Sequence, residues 1–246
     1  MNELLQEYLN DNVHIISSND DGIIAFEKPC NILSHPNATS SERAILSAHY
    51  DFKQQSYKLP NGDNIFLLNR LDSPVSGIII GCTNEKTADA VRTAFKTNTA
   101  VKEYIALVKG HSHSLHGTWR SMLQKQHIGN KLVVRTGTGN LSITKYRVIE
   151  SRRIRSTTIS LLNLYPITGR THQLRIHCAM NRLPIIGDET YGDRVYNKIF
   201  RTSFHDNRLF LHAQSITIKY SINTQQRTFH AHSTCPWVNI ISDISD

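Results

Sequence analysis

Residues 142–165 read SITKYRVIESRRIRSTTISLLNLY, and the class of the fold turns on them. Two runs rich in β-branched and aromatic residues, Ser142–Ile149 and Thr157–Tyr165, flank a basic segment, ESRRIRS. This is the pattern of a long antiparallel strand pair joined by a charged turn. The same signature recurs outward in both directions. Val13–Ile16 and Ile23–Phe26 bracket Ser17–Gly22, whose Asp-Asp-Gly ending favours a hairpin. Ile65–Leu68, Ile78–Cys82, Tyr104–Val108, Leu209–His212, Ser215–Tyr220 and Thr228–His232 read as further strands. Helical spacing is confined to three places. Leu4, Leu5, Tyr8 and Leu9 form a short amphipathic start. Glu85–Lys96 has an apolar stripe of Ala88, Val91, Ala94 and Phe95, with Asn84 as N-cap and Lys96 in the last turn. Thr171–Asn181 follows the Thr168–Gly169 turn, with Thr171 as its expected cap. Residues 111–130 read as loop. Many strands, few helices and adjacent hairpins give an α+β class with an antiparallel-rich sheet, rather than alternating βαβ units.

The 246 residues, 39% of them hydrophobic, suffice for a proper core and are expected to form a single domain over 1–246. No run approaches the ~18 consecutive apolar residues of a membrane span. The acidic start lacks the basic flank and apolar block of a secretory signal. Cys30, Cys82, Cys178 and Cys235 lie far apart without C-x-x-C spacing, which points to reduced thiols and a cytoplasmic protein. The net charge of +8 is unevenly spread. Residues 84–182 hold 17 Lys/Arg against 4 Asp/Glu, a net of +13, whereas residues 1–60 hold 4 against 8. A polyanion such as nucleic acid suits that block, because Lys and Arg displace counterions from phosphates. A solubilising surface suits it equally. The histidines of HSHSLH at 111–116 lie in a polar stretch without a carboxylate cluster, so no metal site is expected.

Three segments carry candidate chemistry. In LLNRLDSPVSGIII (67–80), Arg70 and Asp72 stand between two strongly apolar runs, where an unpaired charge would be costly. In LYPITGRTHQLRIHC (164–178), a strand gives way to a helix N-terminus beside Arg170, a ready phosphate site. Arg175 there can make a bidentate pair with a carboxylate or phosphate, or bridge helix to sheet. In VKEYIALVKG (101–110), alternation sets Lys102 and Tyr104 on one face and Glu103 on the other.

Taken in order, RLD-x-x-x-SG, K-x-Y-x-A-x-V-x-G, TGRTHQLRIH, LPIIGDETYGD and RLFLHA resemble the RluA-type pseudouridine synthases, and EKPCNILSHP and SITKYRVI extend the match. The resemblance covers about residues 13–238. It implies a mixed, mostly antiparallel sheet bisected by an active-site cleft and flanked by helices and loops. It implies isomerisation of uridine to pseudouridine in ribosomal or transfer RNA, without cofactor or metal. A monomer is expected, with no separate S4-like RNA-binding domain ahead of residue 13. Asp72 matches the catalytic aspartate, Tyr104 the active-site tyrosine and Arg175 the basic residue that pairs with the aspartate. Arg70, Lys102, Arg170, His172 and Gln173 are the expected RNA contacts, Arg70 as an aid to flipping or a backbone contact.

Three positions depart from the family pattern. Asn69 replaces His, Val75 replaces Thr and Asn31 replaces Gly, in loops that bear on which nucleotide is chosen. Two rival readings remain at this level. A non-catalytic RNA-binding protein would tolerate loss of Asp72. A glycosidase-like hydrolase would need a second carboxylate, for which Glu103 and Asp188 are the nearest candidates.

Overall fold

The computed structural model describes residues 5–37, 43–128, 131–154 and 157–240. The chain divides into two compact units, Met1–Val101 with Ala213–Thr234, and Lys102–His212 with Cys235–Asp246. No described helix is long and apolar enough to cross a membrane.

The first unit is built on β6 (Ser76–Cys82), which is hydrogen-bonded to β2 (Ile23–Lys28), β5 (Asn64–Leu67) and β12 (Leu211–Ile222). All seven residues of β6 are buried, so both faces of this strand are covered. Alternate residues of β2, β6, β12 and β13 (Gln225–His232) line one face: Ile23 and Ala25, Ile78 and Ile80, Ile216 and Ile218, Phe229 and Ala231. Helix α1 (Glu85–Lys96) lays Ala88, Val91 and Ala94 on it, and the Asn84 side chain caps the helix by accepting from Thr87 N at 3.1 Å. β1 (His14–Ser18) pairs with β2, and the small hairpin β3 (His49–Asp51) and β4 (Ser56–Lys58) extends the sheet beyond β5. Cys82, Cys178 and Cys235 are buried and Cys30 is half-buried, and no disulfide joins any of the four among the described residues.

The second unit orders its strands β7 (Ala100–Lys109), β11 (Thr157–Pro166), β10 (Asn140–Ile154), β8 (His116–Ile128) and β9 (Lys131–Thr136), each antiparallel to its neighbour. Helices α2 (Gln173–Met180) and α3 (Arg194–Phe204) complete it. Three expectations change here, the first being α3 itself, which lies outside the three places of helical spacing. Residues 116–128, read as loop, are a strand. Trp119 and Leu123 point inward while Arg120, Met122 and Gln124 are exposed, and ladder bonds to β10 and β9 hold it. Residues 150–154, read as turn, also belong to a strand. A bulge between Val148 and Glu150 throws Ile149 out of register, and β10 then continues as a solvated ribbon carrying Arg152 and Arg153. Over 150–154 pairing, not burial, maintains the strand, and across 116–126 only Trp119 and Leu123 are buried, too few to give an apolar pattern. The expected amphipathic start falls partly outside the described residues; Leu5 is buried and Leu9 bridges to Leu46.

Candidate active site

The Asp72 loop is held from three sides within the first unit. The Ser34 hydroxyl accepts from Leu71 N and donates to Leu71 O, both at 3.0 Å, so one side chain clamps the residue between Arg70 and Asp72. Lys28, fully buried, donates its ammonium to the carbonyls of Pro29 (2.8 Å), Ile32 (2.8 Å) and Ser73 (2.9 Å), three donors matched to three acceptors. Asn31 N also donates to Ser73 O, and Val75 N closes a turn on Asp72 O at 3.0 Å. A buried lysine solvated by the backbone thus ties the Lys28–Pro29 segment to the residue after Asp72.

The three departures from the family pattern find physical reasons here. Asn31 has φ 62°, the left-handed conformation that glycine adopts freely and that asparagine tolerates best among residues with a Cβ. The Asn69 amide bonds β6 at two points, donating to Ile78 O (3.3 Å) and accepting from Ile80 N (2.6 Å). Val75 is buried, where a methyl in place of a hydroxyl leaves no donor to satisfy. Arg70 is exposed, with Nη1 at 3.2 Å from His35 Nε2. His35 Nδ1 faces the Pro36 carbonyl at 2.8 Å and must donate to it, so Nε2 keeps its lone pair for Arg70.

In the second unit, β7 presents Lys102, Glu103 and Tyr104, all half-buried. Tyr104 stands opposite Leu164 in the ladder to β11. Glu103 accepts from Asn163 Nδ2 (2.6 Å) and Tyr165 OH (2.8 Å), and so braces the sheet. Burial holds the Lys102 ammonium below its ordinary pKa, and a Cβ built on Gly169 would sit 3.8 Å from Lys102 Nζ. Lys102 therefore lies against the Thr168–Arg170 turn.

That turn is organised by Gln173. Its Oε1 accepts from Thr168 Oγ1 (2.7 Å) and Arg170 N (3.0 Å), while its Nε2 donates to Ile143 O (2.9 Å) and Thr144 Oγ1 (3.0 Å). The side chain is buried with its amide fully engaged. The expected Thr171 cap is absent: α2 starts at Gln173, and His172 occupies the N-cap position at φ 53° without a side-chain cap bond. The Gln173 amide, reaching back to Arg170 N, does that work instead. Arg170 is exposed, and His172 Nδ1 lies 2.9 Å from Tyr191 OH.

Arg175 is gripped by Asp188 in a buried two-point pair, Nε to Oδ2 and Nη2 to Oδ1, each 2.8 Å. Burial alone would raise the Asp188 pKa, but the Arg175 guanidinium and the amides of Tyr191 and Thr190 outweigh it and hold the group below its ordinary value. The guanidinium carbon lies 5.3 Å from the Tyr191 ring centroid, and the Tyr191 hydroxyl takes Val134 N from β9 at 2.9 Å. The GDETYG motif thus makes the socket for Arg175. Gly187 begins it at φ 79°, where a Cβ would collide with Arg208 O. Sequence reasoning placed Asp188 in a turn but missed its partner, for which only the co-occurrence of the two motifs was a signal.

Beneath the helix, His177 bridges Thr144 Oγ1 (Nδ1, 2.9 Å) and Ser121 Oγ (Nε2, 2.8 Å), and burial pushes its pKa down to about 4. The folded state keeps this imidazole neutral, whereas the unfolded chain protonates it near 6.5. Its contribution to stability is complete above that value and is lost as pH falls toward 4, by about 3 kcal/mol at most. Urea unfolding at pH 7.5, 5.5 and 4.5 should show this decline, and His177→Gln should flatten it. An unchanged slope in the variant would assign the acid sensitivity elsewhere.

Comparison with known proteins agrees with this arrangement of motifs. The family profile for RNA pseudouridylate synthase matches residues 22–180. The tRNA pseudouridine synthase C of Vibrio cholerae is 30% identical over 235 residues, covering 91% of this chain and 93% of that protein. The ribosomal large subunit pseudouridine synthase D of Borreliella burgdorferi is 32% identical over 209 residues, covering 83% of this chain and 61% of that protein. Human RNA pseudouridylate synthase domain containing 1 superposes with a TM-score of 0.69 at 22% identity, over 94% of this chain and 86% of that one, which establishes likeness of fold. The profile spans well over half of the chain and includes Asp72, Tyr104 and Arg175, and the chain belongs to the RNA pseudouridylate synthase family, of the RluA type, enzymes that isomerise uridine to pseudouridine within RNA.

Proposed function

We propose that the RNA modified by this enzyme is a transfer RNA and that Asp72, Tyr104 and Arg175 carry the reaction. One observation supports the choice of RNA. Five tRNA pseudouridine synthases C are matched over 90% or more of their own length and a sixth, from Pectobacterium carotovorum, over 60%, whereas two matched ribosomal enzymes are covered to 61% and 65%. The chemistry is an isomerisation: the N1–C1′ bond breaks, C5 bonds to C1′, the C5 proton leaves and N1 takes up a proton, so no redox partner or co-substrate is consumed. An ionised carboxylate can act at the electrophilic sugar carbon without a separate base, as in retaining glycosidases, or remove a sugar proton on the elimination route. Asp72 has this role. Tyr104 stacks on the uracil and assists loss of the C5 proton, and Arg175 is the cation that supports the catalytic carboxylate.

The target uridine must leave its stack to expose C1′, at a cost of a few kcal/mol. Phosphate contacts from the basic residues of 84–182 offset it. Arg70 aids flipping, and Lys102, Arg170 and His172 contact the RNA. Gln173, its amide committed within its own unit, serves the same surface by fixing the Thr168–Arg170 turn. The enzyme acts as a monomer in the cytoplasm.

The test is mass-spectrometric mapping of pseudouridine in total RNA from cells with and without the gene. One uridine in a transfer RNA should lose its modification and regain it on treatment with the purified protein. Loss of a ribosomal site with an unchanged tRNA profile would reassign the substrate.

A further inference from the structure

We propose that Phe52, with His35 and Tyr50 beneath it, is a stacking platform for an unpaired base of the RNA strand beside the target uridine. This inference rests on the reading of the chain as an enzyme that flips a nucleotide out of structured RNA. The observation is a graded column of rings in the first unit. Tyr57 is fully buried and donates its hydroxyl to Ser34 O. Tyr50, 7% exposed, packs on Tyr57 at 4.9 Å and stacks on the His35 ring at 4.9 Å with an interplanar angle of 9°. Phe52 tops both, edge-on at 5.1 Å to Tyr50 and 5.9 Å to His35, and leaves 61% of its surface in solvent.

A large apolar ring gains little by standing in water, yet the tip that carries it is rigidly made. Asp51 Oδ1 accepts from Lys53 N and Gln54 N, its other oxygen pairs with Lys58 at 3.2 Å, and Arg92 Nη2 reaches Gln54 O at 3.3 Å. The platform is therefore pre-organised, which lowers the entropic cost of binding on it.

The charges around the rings select the occupant. Arg70 bonds His35, and both Arg70 and Arg92 are near enough to act on the Tyr50 hydroxyl. The neighbouring carboxylates are already engaged, Asp51 by Lys58 and Asp89 by Arg92 at 2.9 Å. An aromatic face edged by the Arg70 guanidinium suits a nucleotide, whose base stacks and whose phosphate takes the cation. The ring contacts lead from Phe52 through His35 to Arg70, two residues before Asp72. A base displaced when the uridine leaves its stack would find the platform in reach of the same loop. Stacking is indifferent to base identity, so the platform selects an unpaired neighbour, not a sequence.

The experiment measures fluorescence anisotropy of a labelled twelve-nucleotide oligouridine and of an abasic ribose-phosphate oligomer of equal length. Phe52→Ala should weaken oligouridine binding about tenfold and change abasic binding by less than about twofold. Phe52→Trp should restore it and Phe52→Leu should not. The half-saturating tRNA concentration for pseudouridine formation should rise with the loss in Phe52→Ala. Unchanged oligouridine affinity, an equal loss on the abasic oligomer, or full rescue by leucine would overturn the platform; the last would mark the ring as an apolar contact for a protein. Phe52 is exposed enough that its truncation should leave the melting temperature intact, which separates these outcomes from misfolding. If wild-type protein forms no pseudouridine in tRNA, the substrate assignment fails, while the two oligomers still decide the platform.

Discussion

Asp72→Asn should abolish pseudouridine formation, by about a thousandfold or more, while RNA affinity stays within a few fold. The substitution removes one negative charge and keeps the volume and shape of the side chain. The main chain of the loop is anchored through Leu71 to Ser34, through Ser73 to Lys28 and Asn31, and through the Asp72 carbonyl to Val75. None of those bonds depends on the carboxylate, so the fold should persist. A neutral amide neither attacks C1′ nor takes a sugar proton, and both routes stop at the same point. The assay is single-turnover conversion beside anisotropy and a thermal melt. Turnover near the wild-type level would remove Asp72 from the chemistry and leave the RNA-binding reading of this scaffold standing.

The second large effect is expected at Arg175. Arg175→Ala should lose activity and also about 3–5 kcal/mol of stability, because Asp188, 1% exposed, would keep its charge with only amide partners. Urea unfolding measures the second loss. The two contributions separate in a double variant, Arg175→Met with Asp188→Leu, which removes both charges and fills the space with apolar atoms. Stability should largely return, since replacing a buried pair whole costs little, while activity should stay absent. Recovery of turnover with stability would make Arg175 a structural brace. Arg175→Lys should also fail, since a point charge lacks the fork that meets both Asp188 oxygens.

Local chemistry was legible where one side chain answers a nearby need. Asn84 announces the helix it caps because the bond to Thr87 spans three residues. The apolar runs of 23–28 and 76–82 announce strands because both faces there are buried. The Asp72 loop was legible as a charged turn between two such runs. Residues 116–128 and 150–154 were not legible, since their exposed faces carry Arg, Lys and Gln and only a partner strand makes them β. Thr171 failed as a cap because Gln173, from inside the helix, claimed the preceding turn.

The sequence by itself determined the α+β class, the α1 boundaries and, through ordered motifs, the family and the candidate residues. Tertiary structure alone decided what holds those residues. Lys28 lies beneath Ser73, Asp188 grips Arg175, Asn69 bonds β6, and the Phe52 column rises beside Arg70. The physical reason is one of range. Propensity, capping and hydrophobic period act over a few residues and are written in local order. A buried charge is satisfied by whichever group the folded backbone brings to it, and Ser73 lies 45 residues from Lys28.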